Sequence, residues 1–157
     1  MLRQAAIQVQ LRGVHLCCQG CVDAVDAAVK KVEGVESHCN VDNATVTLTT
    51  SDDAKAQKAL DSIAAAGFHG NTDNKLLAMN AVSKIPEGNV EKLKVSRIHN
   101  CCDLCCEAIK GAIQTVEGVV SDSAESGETS FEVTGNFDAR ELVKALNVAG
   151  FSAQVEK

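Results

Sequence analysis

The sequence HLCCQGC at residues 15–21 has a counterpart in HNCCDLC at residues 99–105. Both copies have the pattern H-x-C-C-x-x-C, and together with Cys106 they contain seven of the eight cysteines. The surrounding sequence repeats as well: EGV at 33–35 recurs at 117–119, and AGF at 66–68 recurs at 149–151. A cysteine-rich loop has therefore been duplicated together with the fold that supports it.

The repeat favours two small domains over one domain of 157 residues. We predict a first domain at residues 1–73, a linker at 74–90 and a second domain at 91–157. Domains of this size bury a small core and commonly depend on metals, disulfides or a partner surface. The linker holds the only proline, Pro86. Fully extended it could reach up to about 60 Å, so the two domains could face each other.

The hydrophobic pattern in each predicted domain follows the order strand, helix, strand, strand, helix, strand. Ile7, Val9 and Leu11 alternate with polar residues, which predicts the first strand. After the cysteine loop, valines recur every three or four residues from Val22 to Val32, which predicts a helix. We therefore expect an α+β fold of two ferredoxin-like β-α-β-β-α-β sandwiches, each with two helices on a four-stranded antiparallel sheet.

Composition excludes several classes of protein. The net charge of −6 and the lack of Trp and Tyr argue against nucleic-acid binding, which needs a basic surface and stacking aromatic rings. No apolar run approaches the roughly 20 residues of a membrane span. The first twelve residues lack the apolar core and cleavage site of a signal peptide. We therefore expect a cytoplasmic protein as the sequence stands, and a periplasmic or exported one if it is a trimmed mature form.

The chemistry of the loops comes from a C-x-x-C pair between a strand and the N-terminus of a helix. The pairs are Cys18 with Cys21 and Cys102 with Cys105. Free N–H groups and the helix dipole lower thiol pKa values there. Two thiolates three residues apart can converge on one soft cation, Cu(I) foremost, with Zn(II), Hg(II) or Cd(II) close behind.

With these motifs the sequence resembles the heavy-metal-associated domain, the small ferredoxin-like copper module of metallochaperones and metal-transporting P-type ATPases. The family is marked by G-M-x-C-x-x-C, then G-V after the first helix and G-F or G-Y before the last strand. The matching residues are Gly13, Cys18, Cys21, Gly34-Val35 and Gly67-Phe68, and then Cys102, Cys105, Gly118-Val119 and Gly150-Phe151. The resemblance implies that the four C-x-x-C sulfurs bind metal, above all Cu(I), for carriage, buffering or sequestration. It also implies a metal-transporting or metal-receiving partner.

The loops depart from the family pattern in three ways. Leu16 and Asn100 replace its methionine, an extra cysteine precedes each pair, and a histidine stands three residues before it. The added candidates for metal ligands are Cys17, Cys101, His15 and His99. We expect the side chains of Cys17 and Cys18 to diverge, as neighbours do. Either Cys17 and Cys101 then reach a second ion, or the two domains meet and share sulfurs in a multinuclear Cu(I)–thiolate site. The histidines are either ligands or hydrogen-bonding loop residues.

The remaining cysteines and histidines have simpler expectations. Cys39 is expected to pack as a small buried hydrophobe on a strand, and His38 and His69 to lie at the surface. Cys106 either supplements the second site or packs in the core.

The alternatives to metal binding are a thiol–disulfide redox protein using the C-x-x-C pairs and an interaction module on the same fold. Thioredoxin-type sites have a different strand order and usually a cis-proline facing the thiols, whereas the only proline here is in the linker. No Ser-His-Asp set, paired carboxylates or phosphate loop is visible. We therefore predict that the protein is not an enzyme.

Overall fold

The computed structural model describes residues 6–74, 77 and 85–156. These residues form two four-stranded antiparallel sheets, each with two helices, which confirms the predicted α+β fold. No helix in the described ranges is long and apolar enough to span a membrane. Most of the segment predicted as a linker lies outside the described residues.

The first half contains the elements β1 (Ile7–Arg12), α1 (Gln19–Lys30), β2 (Glu36–Asn40), β3 (Thr45–Thr50), α2 (Asp53–Ala65) and β4 (Asn71–Thr72). Its sheet has the order β2-β3-β1-β4. Val9 and Leu11 are fully buried, as the alternation on β1 predicts. Helix α2 begins where the Asp52 carboxylate accepts a hydrogen bond of 2.8 Å from the backbone N–H of Lys55, which is the usual way to cap a helix N-terminus.

The second half repeats this order with β5 (Asn89–Ser96), α3 (Asp103–Gln114), β6 (Val119–Asp122), β7 (Phe131–Asp138), α4 (Ala139–Val148) and β8 (Gln154–Glu156). Its sheet has the equivalent order β6-β7-β5-β8. Strand β5 begins at Asn89, two residues inside the segment predicted as a linker. In both halves the central strand, β1 or β5, leads into the cysteine loop, which then enters the first helix.

The two halves contact each other through the turns that follow α2 and α4. Phe68 and Phe151 form an isolated antiparallel bridge. The N–H of His69 donates to the carbonyl of Gly150, and the N–H of Ser152 donates to the carbonyl of Gly67, both at 2.9 Å. This pairing relates the halves by an approximate twofold symmetry.

Glycine is required at the two turns. Gly67 has φ +98° and Gly150 has φ +96°, in the left-handed region that other residues rarely adopt. A Cβ atom at Gly67 would collide with the backbone nitrogen of His99, and one at Gly150 with the backbone nitrogen of His15. The repeated A-G-F sequences therefore allow the two halves to touch.

We predict that Gly67→Ala destabilises the protein by more than the roughly 1–3 kcal/mol of left-handed backbone strain, because its Cβ also pushes against the other half. Urea unfolding measures the loss, and small-angle scattering should show a larger radius of gyration.

Gly127→Ala is the matched control for this variant. Gly127 also has a left-handed φ of +84°, but nothing lies within 4 Å of a Cβ placed there. Equal losses of stability in the two variants, with no change in radius, would contradict the role of Gly67 at the interface.

Candidate metal centre

Each loop brings its cysteines to the start of a helix. Cys18 and Cys102 are the N-cap residues of α1 and α3, and both have extended backbone conformations, with φ −162° and −157°. Cys21 and Cys105 lie in the first turn of their helices and are fully buried. The second cysteine of each C-x-x-C pair therefore points into the protein, at the helix end where N–H groups favour negative charge.

The two loops face each other, and their sulfur atoms form one cluster. Cys17 Sγ lies 3.6 Å from Cys102 Sγ and 3.5 Å from Cys105 Sγ, across the two halves. The other sulfur–sulfur contacts are Cys17–Cys21 at 3.5 Å, Cys18–Cys101 at 4.0 Å, Cys21–Cys105 at 3.9 Å, Cys101–Cys105 at 3.7 Å and Cys102–Cys105 at 3.8 Å. All these thiols are free. Six sulfurs from two loops therefore lie within contact distance of their neighbours.

The two repeated histidines are held by the opposite half. The ring of His15 stacks on Phe151 with ring centres 4.5 Å apart, and the ring of His99 stacks on Phe68 at 4.3 Å. The backbone N–H of His15 also donates to the carbonyl of Gly150 at 3.3 Å. These contacts fix both rings beside the sulfurs, so each A-G-F turn supports the histidine of the other loop.

The ring nitrogens have different surroundings. His99 Nε2 lies 3.3 Å from Cys21 Sγ. His15 Nε2 is buried and has no hydrogen-bond partner among the described residues. Burial lowers the pKa of His15, which favours the neutral imidazole that can act as a metal ligand.

Three groups of side chains have donor atoms that all lie within 4.8 Å of one another. They are His15 with Cys17, Cys21 and Cys105; His99 with Cys21, Cys101 and Cys105; and Cys17 with Cys18 and Cys102. All eight sequence-predicted ligands belong to at least one group. Each group combines residues of both loops.

The expectation that the side chains of Cys17 and Cys18 diverge is wrong, since both sulfurs belong to the group that includes Cys102. The physical reason is the turn at Cys18: the chain changes from an extended N-cap to a helix there. The divergence of neighbours holds along a straight strand and does not extend across such a turn.

Cys21 and Cys105 form the electrostatic centre of the cluster. The hydrogen bond from the Cys105 thiol, helped by His99, lowers the pKa of Cys21 to about 2. The same contact, together with burial, raises the pKa of Cys105. One negative charge is thus favoured at this pair, because a second thiolate 3.9 Å away in a buried position would be repelled.

The residues outside the cluster differ in part from expectation. His38 is exposed, as predicted, but His69 is half-buried and its pKa is lowered by desolvation. The prediction for His69 failed because its backbone pairs with the other half. Cys39 is half-buried, 3.8 Å from the Asp26 carboxylate. Cys106 is buried in the core on α3 and belongs to none of the three donor groups.

Asn100, which stands where the family has methionine, has a structural role that the sequence analysis missed. It is buried, and its side-chain amide donates to the carbonyls of Glu125 and Glu128 at 2.7 and 2.9 Å. These bonds tie the second loop to the turn before β7. In the first loop Leu16 is buried at the same position, so this position anchors both loops.

Among solved structures, two of CopA from Bacillus subtilis are similar to this chain. The solution structure of its N-terminal soluble domains is 12% identical with a TM-score of 0.36, and covers 99% of this chain and 97% of that one. A structure of the water soluble region of the P-type ATPase CopA is 16% identical with a TM-score of 0.37, and covers 99% and 94%. The first two RRM domains of yeast Poly(U) binding protein (Pub1) are 9% identical with a TM-score of 0.27, and cover 96% and 98%.

No curated protein gives a significant match to the sequence. A family match exists for the first half: residues 11–69 match the family described as the heavy-metal-associated domain. The match runs from β1 through the first cysteine loop to the turn after α2. The likeness to the heavy-metal-associated domain family is therefore found over residues 11–69.

Proposed function

We propose that the protein binds a soft metal ion, Cu(I) first and Zn(II) next, through cysteine thiolates, and that it carries, buffers or sequesters this metal. The observation that supports the proposal is the convergence of six sulfurs, 3.5 to 4.0 Å from their neighbours. Thiolates select Cu(I) because both are soft. The heavy-metal-associated family of residues 11–69 agrees with this chemistry.

In this proposal the two domains, 1–73 and 91–157, share their metal. Cys17 touches both Cys102 and Cys105, so sulfurs of different loops can bind the same ion. The ligands would be the C-x-x-C sulfurs with Cys17 and Cys101 in addition, and the histidines would complete the set. Because the donor groups overlap, they favour a multinuclear Cu(I)–thiolate cluster over two separate sites.

Transfer of the metal would proceed by ligand exchange, for which an accessible thiolate is needed. The backbone N–H of Cys105 lowers the pKa of Cys102 to about 7, with help from the Cys17 thiol. Burial raises the pKa of Cys101 to about 12. Cys102 would therefore exchange the ion with a metal-transporting or metal-receiving protein more readily than Cys101. The net charge of −6 suits a basic surface on that partner.

A thiol–disulfide redox protein is the second candidate function. Two properties of Cys102 favour it: the pKa of its thiol is lowered, and its Sγ lies 3.8 Å from the Sγ of Cys105, the other member of its C-x-x-C pair. Metal binding accounts for more of the structure, because it uses the sulfurs of both loops and both histidines.

We predict that the reduced protein binds more than two Cu(I) ions per chain, cooperatively, when titrated against a competing Cu(I) chelator. The physical reason is that each sulfur can bridge two ions in a cluster whose donor groups overlap. Absorbance of the chelator complex gives the number of ions bound and their affinity.

The Cys17→Ser/Cys101→Ser variant should bind fewer ions, whereas Cys39→Ser, which removes a cysteine outside the cluster, should match the wild type. Two ions per chain, unchanged in the double variant, would contradict the shared cluster. If no tight Cu(I) binding occurs at all, the copper proposal is wrong and the redox function takes its place.

We also predict that Cys102 reacts near neutral pH, whereas Cys21, despite its lower pKa, is protected by full burial. The pKa of Cys102 is lowered to about 7, so its thiolate is present above pH 7 and is lost as the pH falls below it. The rate of alkylation by iodoacetamide at Cys102 should therefore rise with a midpoint near pH 7. Mass spectrometry of the digested apo-protein locates the modified residue.

Cys39 provides the control for this pH profile. Burial and the Asp26 carboxylate raise the pKa of Cys39 to about 12, so it should remain almost unmodified at pH 7. The prediction is wrong if alkylation of Cys102 begins only near pH 8.5, the ordinary pKa of a free thiol being about 8.5.

A further inference from the structure

The cluster contains two four-donor groups that are arranged symmetrically and share Cys21 and Cys105. One group adds His15 and Cys17 to this pair, and the other adds His99 and Cys101. The donor atoms of each group lie within 4.8 Å of one another. The two groups correspond residue for residue in the repeat, so the protein holds two equivalent sites with a common edge, the Cys21–Cys105 pair.

The sulfurs of the first group have the spacing of a tetrahedral metal site. The three distances among Cys17, Cys21 and Cys105 are 3.5, 3.5 and 3.9 Å. A tetrahedral ion with metal–sulfur bonds of about 2.3 Å needs sulfurs about 3.8 Å apart. An ion in the plane of these three sulfurs would have bonds of only about 2.1 Å, shorter than the usual length. The ion is therefore expected out of that plane, where a fourth ligand completes the tetrahedron.

The His15 ring is placed to supply this fourth ligand, and its Nε2 needs a partner. This nitrogen is buried and has no hydrogen-bond partner among the described residues, which is costly for a polar atom unless something else binds it. One ring nitrogen of His15 lies within 4.8 Å of all three sulfurs, and the ring is held by stacking on Phe151. His99, stacked on Phe68, occupies the equivalent position in the second group.

We propose that this core binds two divalent, tetrahedral ions of the Zn(II) and Co(II) class, bridged by the thiolates of Cys21 and Cys105. The terminal ligands are His15 and Cys17 for one ion, and His99 and Cys101 for the other. Each ion then has three sulfurs and one nitrogen, a donor set typical of Zn(II). The inference rests on the proposed function, since both need the cluster to be a metal site. It adds a second class of ion and assigns each ligand.

Charge balance favours divalent ions in this core. Its four thiolates carry four negative charges once their protons have left for solvent, and two divalent ions neutralise them. Two Cu(I) ions on the same ligands would leave two negative charges uncompensated. Cys21 and Cys105 are fully buried, where an uncompensated charge is expensive. Cu(I) ions would therefore bind with a different number of ions or a different set of sulfurs.

The assignment makes the two members of a C-x-x-C pair unequal. Cys21 bridges both ions, whereas its partner Cys18 belongs only to the third donor group, with Cys17 and Cys102. A simple C-x-x-C site would instead use both cysteines alike. This difference separates the dinuclear core from one independent site in each loop.

The test is a titration of the reduced full-length protein with Co(II) in the absence of oxygen, followed by absorbance and electron paramagnetic resonance. We expect saturation at two Co(II) per chain, with intense sulfur-to-cobalt absorption. Thiolate bridges couple the spins of the two ions, so the resonance signal per cobalt should fall several-fold below that of an isolated tetrahedral Co(II).

Single cysteine substitutions test which thiolates bridge the two ions. Cys21→Ser, which removes one of the two bridges, should weaken the coupling, whereas Cys18→Ser should keep two fully coupled cobalt ions while binding less Cu(I). Cys39→Ser is the matched cysteine control and should behave as the wild type. Should Cys21→Ser prove too unstable, His15→Gln with His99→Gln, which replace the nitrogen ligands at the edge of the core, should shift the cobalt absorption bands.

The outcomes separate this inference from the proposed function. Tight Cu(I) binding with one Co(II) per chain, with two uncoupled Co(II) ions, or with none would overturn the dinuclear core and leave the copper proposal standing. Equal effects of Cys18→Ser and Cys21→Ser on the coupling would also overturn it. Failure to bind either metal would overturn both.

Discussion

The close backbone contact at Gly67 and Gly150 is the constraint on which the site depends. No side chain fits there, since a Cβ at either glycine would collide with the backbone of a histidine in the opposite loop. The two turns can therefore pair as an antiparallel bridge through Phe68 and Phe151. This bridge places the cysteine loops face to face. A fold whose separate halves could each present a C-x-x-C pair to solvent instead presents one cluster.

Bringing so many thiols together has an electrostatic cost that shapes the site. The fully buried pair Cys21 and Cys105 favours a single negative charge, shared through their contact. Further ionisation at the centre is opposed by repulsion and by desolvation. A positive ion among the sulfurs removes both penalties, because it replaces the protons that the thiols would otherwise keep. A metal ion bound there would therefore reduce the electrostatic cost of the arrangement.

Much of the fold follows from local sequence. Strands and helices were predicted correctly where the hydrophobic pattern of the segment itself determines its structure. The alternation of Val9 and Leu11 predicted β1, and the recurring valines predicted α1. The contact between the halves depends on pairing at residues far apart in sequence, which periodicity does not show. His69 was expected at the surface for this reason, and it is half-buried because its backbone pairs with Gly150.

The cluster itself was only partly predictable. The sequence repeat identified the cysteines and histidines of the cluster. Which sulfurs contact each other depends on the orientation of one loop against the other, which the repeat does not show. Cys17 illustrates this point, since its sulfur contacts Cys102 and Cys105 rather than standing apart. The repeated A-G-F sequence was the one feature of the sequence that could have indicated contact between the halves. Glycine before a buried aromatic residue at two equivalent turns indicates a close backbone approach, and here the approaching chain is the other half.

If sulfurs of both loops hold the metal, as proposed, placing both halves on one chain links metal binding to the contact between them. Joined loops meet at a high effective concentration, so the cost of bringing them together is smaller than for two separate molecules. An ion held by sulfurs of both loops binds only the closed arrangement, and so it stabilises the contact at Gly67 and Gly150. The linkage is reciprocal: whatever separates the halves weakens metal binding by the same factor by which the metal strengthens their contact. In the proposed shared site, an ion would be held tightly while the halves are closed and released when they part.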